Sequence, residues 1–141
     1  MRLVLTLLLA VAASGCDLNR TDDAPDPSEL FENVSFPLVA GEPLALRGAI
    51  RGDNPADSVV VALLDPGPSC VGVRDGRPEC EPLWAETVVL SSQARPQRVE
   101  TTVTVPADIV EVPTDLQFMI VAYGLPLARG HGEVVQVLPA P

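Results

Sequence analysis

Four kinds of side chain in this sequence could carry chemistry: a single histidine, three cysteines, 19 acids and a small cluster of oxygen donors. Hydrolysis needs an activated nucleophile beside a base. His131 is the one histidine, it lies in a Gly130-His131-Gly132 segment read as a solvent-exposed loop, and no Gly-x-Ser-x-Gly accompanies it. Zinc would have to use that histidine with scattered carboxylates, which match no ligand spacing. Asp53, Asn54 and Asp57 bunch in one turn and are the oxygen set a calcium ion would take, although their spacing fits no ligand loop and an ordinary proline-containing turn explains them. A glycosidase pair is not distinguishable among so many acids. Glycine loops of the phosphate-cradling kind are absent from the sequence. The chain therefore reads as non-enzymatic, with no cofactor and no metal beyond that weak calcium set.

Cysteine chemistry points elsewhere. Cys16 follows Arg2, an apolar run over residues 3–12 and the small residues Ala13-Ser14-Gly15, which is the layout of a secretory signal peptide. A spanning helix needs about 20 apolar residues, and Asp17 cuts this run short. Ala13-Ser14-Gly15-Cys16 resembles the lipobox of bacterial lipoproteins, with Ala13 where leucine is commoner. The resemblance implies a diacylglyceryl group on the Cys16 thiol, cleavage between Gly15 and Cys16, and acylation of the new amino terminus. It places the protein in the cell envelope, anchored to a membrane by lipid and facing the periplasm or the exterior. Asp17 resembles a retention signal of inner-membrane lipoproteins, and inner versus outer membrane stays open. The organisation expected is a signal over residues 1–15, the lipidated cysteine and an acidic, proline-bearing, disordered tether over 16–30, and one domain over 31–141.

With Cys16 assigned to lipid, Cys70 and Cys80 remain as an even pair in a compartment that permits disulfides. If Arg74-Asp75-Gly76 forms a three-residue hairpin loop, Val73 faces Arg77 and Cys70 faces Cys80. Closing so short a loop stabilises by about 2.5 to 3 kcal/mol in the chain-entropy model. The spacing is not Cys-x-x-Cys, so a structural bond is favoured over a redox role.

Charge narrows the partners. Removing residues 1–15 takes away Arg2 and none of the 19 acids, moving the formal charge from −10 to −11. Such a surface repels nucleic acid and anionic headgroups, and the acidic tether is expected to hold the domain away from an anionic lipid surface. All nine basic residues are arginine, which coding bias explains better than carboxylate recognition.

The elements that must position these groups are strands. Beyond Phe31, short β-branched and apolar runs alternate with proline and glycine, and no 3.6-residue stripe appears. Strands are expected near residues 34–38, 44–51, 58–64, 83–90, 98–105, 116–123 and 133–138, with residues 107–115 crossing between sheets. About seven strands so spaced fit a two-sheet antiparallel sandwich, and the pattern resembles immunoglobulin or fibronectin type III domains, with the disulfide-closed hairpin added. A closed barrel is the alternative.

Two of these strands, 58–64 and 116–123, are apolar on both faces, whereas a sandwich strand needs only one apolar face. In an immunoglobulin-like order they are neighbours. Their outer faces then form a patch of Val60, Leu64, Met119, Val121 and Tyr123, the candidate interface for a protein partner or a second copy, unless another segment covers it. The function expected is a non-catalytic protein-binding or assembly module; the alternative is a carrier that holds a small ligand, carbohydrate or calcium in the loops at one end.

Overall fold

A computed structural model of the chain describes residues 24–66, 73–74, 77–78, 81–124 and 127–141. The signal segment, Cys16, Cys70 and Cys80 lie outside the described residues.

The β-branched runs become strands because their branched side chains fit a pleated, half-buried surface. A short helix α1 (Ser28–Glu32) comes first, followed by β1 (Leu38–Val39), β2 (Pro43–Ile50), β3 (Ser58–Leu64), β4 (Val73–Arg74), β5 (Arg77–Pro78), β6 (Trp84–Val89), β7 (Gln97–Thr104), β8 (Thr114–Gly124) and β9 (Leu127–Leu138). A mixed five-stranded sheet has the order β1-β9-β8-β3-β6, with β1 parallel to β9 and the other pairs antiparallel. Strands β2 and β7 form a second sheet, antiparallel over eight residue pairs.

One apolar core joins the two sheets. Leu44, Leu46, Val99 and Val103 of the smaller sheet cluster with Val59, Val61, Leu63, Leu116, Phe118 and Ile120 of the larger one. The apolar alternation read in β2 and β7 is what places one face of each inward. The segment between β7 and β8 carries the chain from the small sheet to the large one, as expected.

Four expectations need correction. The acidic stretch before Phe31 is not a free tether throughout, because residues 24–30 belong to the folded domain. Asp26 and Arg51 exchange backbone hydrogen bonds of 2.6 and 3.1 Å, Ala24 is buried and Leu30 has no exposed surface. Gly52 allows this approach: it holds φ +118°, and a Cβ there would lie 2.5 Å from the Ala24 carbonyl oxygen.

Residues 34–37 are not strand. Phe31 and Phe36 instead turn onto Phe118, with ring centroids 5.7 and 5.6 Å away. Three rings sharing one contact outweigh a two-residue alternation as a reason for local conformation.

The last strand starts at Leu127 and not at Glu133, so His131 is a strand residue opposite Ile120 and not a loop residue. Gly132 permits that pairing. A Cβ on it would come within 2.7 Å of both Met119 Cγ and the Phe118 carbonyl oxygen.

The β4–β5 pair has Val73 opposite Pro78 and Arg74 opposite Arg77. That is one residue away from the expected register in which Val73 faces Arg77, and it leaves two residues between the strands.

Candidate interaction site

The five residues expected to form an exposed patch do come together. Val60 pairs with Val121 and Ser58 with Tyr123 across β3 and β8, and Leu64, Met119 and Val121 form a cluster with Ala62, against which Tyr123 and Ala128 pack. The cluster is separate from the main core and occupies the opposite face of the sheet. It is not an open surface: Leu64 and Val121 are 0% exposed and Met119 is 3% exposed. Val60 and Tyr123 are half-buried. Met119 folds down over the bare backbone of Gly132 instead of standing out from the sheet. The exposed apolar groups of this region lie at its rim, with Val89 at the end of β6, Leu83 just before it and Val134 on β9.

The open feature is a sheet edge. Each sheet ends in strands whose outer backbone groups need a partner or a protecting device. At one end of the large sheet β1 is only two residues long. On β2, the side that β7 leaves open is taken by α1 and the segment after it, where Asn33 Nδ2 donates to the Arg47 carbonyl at 2.7 Å. Strand β7 presents Arg98, Glu100, Thr102 and Thr104 outward. Strand β6, sequence Trp-Ala-Glu-Thr-Val-Val, carries one charge and no proline, and among the described residues nothing pairs with its far side.

The hydrogen-bond pattern shows which β6 groups are left over. Leu90 N–H bonds the Asp57 carbonyl, and antiparallel ladders alternate bonded and non-bonded pairs. Residues 84, 86 and 88 therefore direct their backbone groups to β3, while Ala85, Thr87 and Val89 direct theirs outward. Beside this edge runs a groove of about 220 Å³ towards β7, lined by Val88, Leu90, Gln97, Val99 and Thr101 among others. An extended chain laid along β6 would find backbone donors and acceptors beside a groove whose lining mixes Val88, Leu90 and Val99 with Ser91, Ser92, Arg98 and Glu100.

Two polar clusters, neither expected from sequence, hold the nearby loops. Gln97, buried at the start of β7, accepts the Ala56 N–H at 2.9 Å and donates to the carbonyls of Ala56 and Ser92 at 2.7 and 2.6 Å. Asp26 accepts the Ser28 N–H at 2.9 Å and His131 Nε2–H at 2.9 Å, and Arg129 lies 3.6 Å from its second oxygen. A carboxylate only accepts, so the Nε2 of His131 must carry the proton. That nitrogen is committed to Asp26, and no described nucleophile is bonded to the ring. The pair acts as a clamp fastening the N-terminal segment to β9.

The clamp should be visible in acid. Burial, the largest single influence, pushes the Asp26 carboxyl up, but the Ser28 N–H and hydroxyl, the Arg129 charge and the His131 hydrogen bond together hold it below the ordinary 3.8. A carboxyl depressed in the folded state contributes stability above its unfolded pKa and loses it as pH falls through the folded value. Asp26→Asn should therefore lower stability by roughly 1.5 to 3 kcal/mol at pH 6. In urea titrations at pH 6, 4 and 2.5 the gap between the two proteins should close as pH falls, and a pH-independent gap would refute the clamp.

Asp53, Asn54 and Asp57 remain in one turn. Asp57 is engaged through its backbone, bonding Tyr123 by N–H and Leu90 by C=O. Among the described residues no group of three or more histidine, cysteine, aspartate or glutamate side chains is placed to hold a metal, and no helix is long and apolar enough to cross a membrane. Comparisons of the chain with family models, curated proteins and solved structures found no match.

Proposed function

We propose that this protein is a lipid-anchored lipoprotein of the bacterial cell envelope whose domain binds or assembles with other proteins by accepting an extended strand at the free edge of β6. The observation that carries the binding mode is the outward row of backbone groups at residues 85, 87 and 89, left without a described partner on an edge that lacks the protection given to β1, β2 and β7. Strand addition supplies affinity through main-chain hydrogen bonds and specificity through alternate side chains. Glu86, the one charge on the strand, selects against any incoming strand that sets an acid opposite it.

The remaining parts of the reading rest on sequence and topology. Cys16 carries the lipid, residues 1–15 are removed, and Cys70 bonds Cys80. The strand order β1-β9-β8-β3-β6 against β2-β7, with β1 parallel to β9, supports an immunoglobulin-like sandwich. The domain faces the periplasm or the exterior, and catalysis has no part in its work.

A proline at position 87 tests the binding mode, because it removes an outward N–H without touching the β3 ladder. Cross-linking in cells from a photoreactive residue at position 89 should trap an adduct in the full-length protein and not in Thr87→Pro, with the same far-ultraviolet circular dichroism for both. An adduct that survives Thr87→Pro would rule out strand addition.

A second reading has one observation behind it. A groove of about 300 Å³ between residues 50–55 and 94–97 contains Asp53 and Asn54, which suits a ligand carrier. Calcium or a sugar should then raise the melting temperature by mass action.

A further inference from the structure

An antiparallel strand added outside β6 meets residues 84, 86 and 88 in non-hydrogen-bonded pairs, because those residues turn their backbone groups to β3. Such pairs bring opposing side chains closest. Trp84, Glu86 and Val88 sit opposite Leu63, Val61 and Val59 and so share the core side of the sheet. Trp84 and Val88 pack against the core. Glu86 stands between them, half-buried, and no base among the described residues pairs with it.

That carboxylate decides which strand the edge accepts. An apolar side chain opposite it would strip away water and supply nothing in return, which is costly for a charge. An acid would be repelled. A base would pair with it at the shortest cross-strand distance available. The surroundings add to the preference: residues 81–94 carry Glu81 and Glu86 and no basic residue, and the chain as a whole has a formal charge of −10. Arg98 and Glu100, on the neighbouring β7, cancel each other across the groove. The long-range field therefore draws a basic segment in and turns an acidic one away.

The same residue disfavours a second copy as the occupant. Pairing β6 with itself around Glu86 sets two carboxylates directly opposite each other. Pairing around Thr87, which uses the outward groups at 85, 87 and 89, sets them diagonally on one face, still within reach of long side chains.

Resting on strand addition at β6, we propose that the strand received there is basic: it places an arginine or lysine opposite Glu86, with apolar residues two positions to either side, opposite Trp84 and Val88. Alternate positions carry small or β-branched residues that follow Ala85, Thr87 and Val89 along the other face.

Three labelled peptides test this, Ser-Thr-Val-Thr-X-Thr-Leu-Thr-Ser with arginine, glutamine or glutamate at X. Each is titrated by fluorescence anisotropy against the full chain purified in non-ionic detergent. Opposite-charge and like-charge cross-strand pairs each shift affinity a few-fold, so the arginine peptide should bind about tenfold more tightly than the glutamate peptide. High salt should narrow that gap. Glu86→Arg should reverse the order, and Glu86→Gln, which keeps the side chain's shape, should make the arginine and glutamate peptides bind alike. An arginine preference that persists in Glu86→Gln would overturn the proposal. Equal affinity of all three peptides for the wild-type protein, with binding lost in Thr87→Pro, would overturn the basic strand and leave strand addition standing. Binding that survives Thr87→Pro, or no binding of any peptide at about 1 mM, would overturn both.

Discussion

A chain that begins at Phe31 is expected to lose most of its stability, whereas one that begins at Thr21 should melt like the mature protein. The stretch from Ala24 to Leu30 reads as solvated tether, yet it carries Leu30, which has no exposed surface, and the Asp26 clamp on Ser28, Arg129 and His131. Emptying a leucine site costs about 2 to 5 kcal/mol, and a charge-assisted hydrogen bond adds roughly 1.5 to 3 kcal/mol. Set against a total of about 5 to 15 kcal/mol for a small domain, these terms decide whether it folds. A loss near 5 kcal/mol would lower the melting temperature by roughly 15 to 30 °C. Thermal denaturation of the two chains gives the answer. Equal midpoints would mean that residues 24–30 rest on the domain without supporting it.

Val121→Asp is expected to unfold the domain. Val121 lies mid-way along β8, which pairs with β3 on one side and β9 on the other, and it has no exposed surface. Burying an unpaired carboxylate costs several kcal/mol even after its pKa rises. Val89→Asp serves as the contrast, since Val89 is 81% exposed and surface substitutions usually stay within about 0.5 kcal/mol. Urea denaturation should show Val89→Asp close to wild type and Val121→Asp unfolded in buffer. A folded Val121→Asp protein would restore that face as an open interface.

The comparison of β3 with β9 shows how far local pattern reaches. Strand β3 has the bounds that its run of valine, alanine and leucine indicates, because six apolar residues after Ser58, closed by Asp65-Pro66, leave little choice. The first half of β9, Leu-Ala-Arg-Gly-His-Gly, has no strand propensity to read. It is strand because β8 offers eleven successive partners, and because bare backbone at Gly132 fits under Met119. The candidate site divides in the same way. Adjacent placement of Val60 and Val121 follows from two doubly apolar strands, but their burial does not. The free β6 edge had no signature at all, since an edge strand and a central strand of that composition look alike until the partners are counted.

Taken alone, the sequence determined the β class, the position of most strands, the anionic character and the signal-like start with Cys16. Those follow from composition and from periodicities two residues long, which are properties of contiguous chain. Tertiary structure alone decided that Asp26 clamps to His131 across 105 residues, that the acidic stretch after residue 23 folds back on the domain, and which sheet edge stays open. Each of these is a contact between segments distant in sequence. Their energies come from desolvation and pairing in a shared site, which no local run of residues encodes.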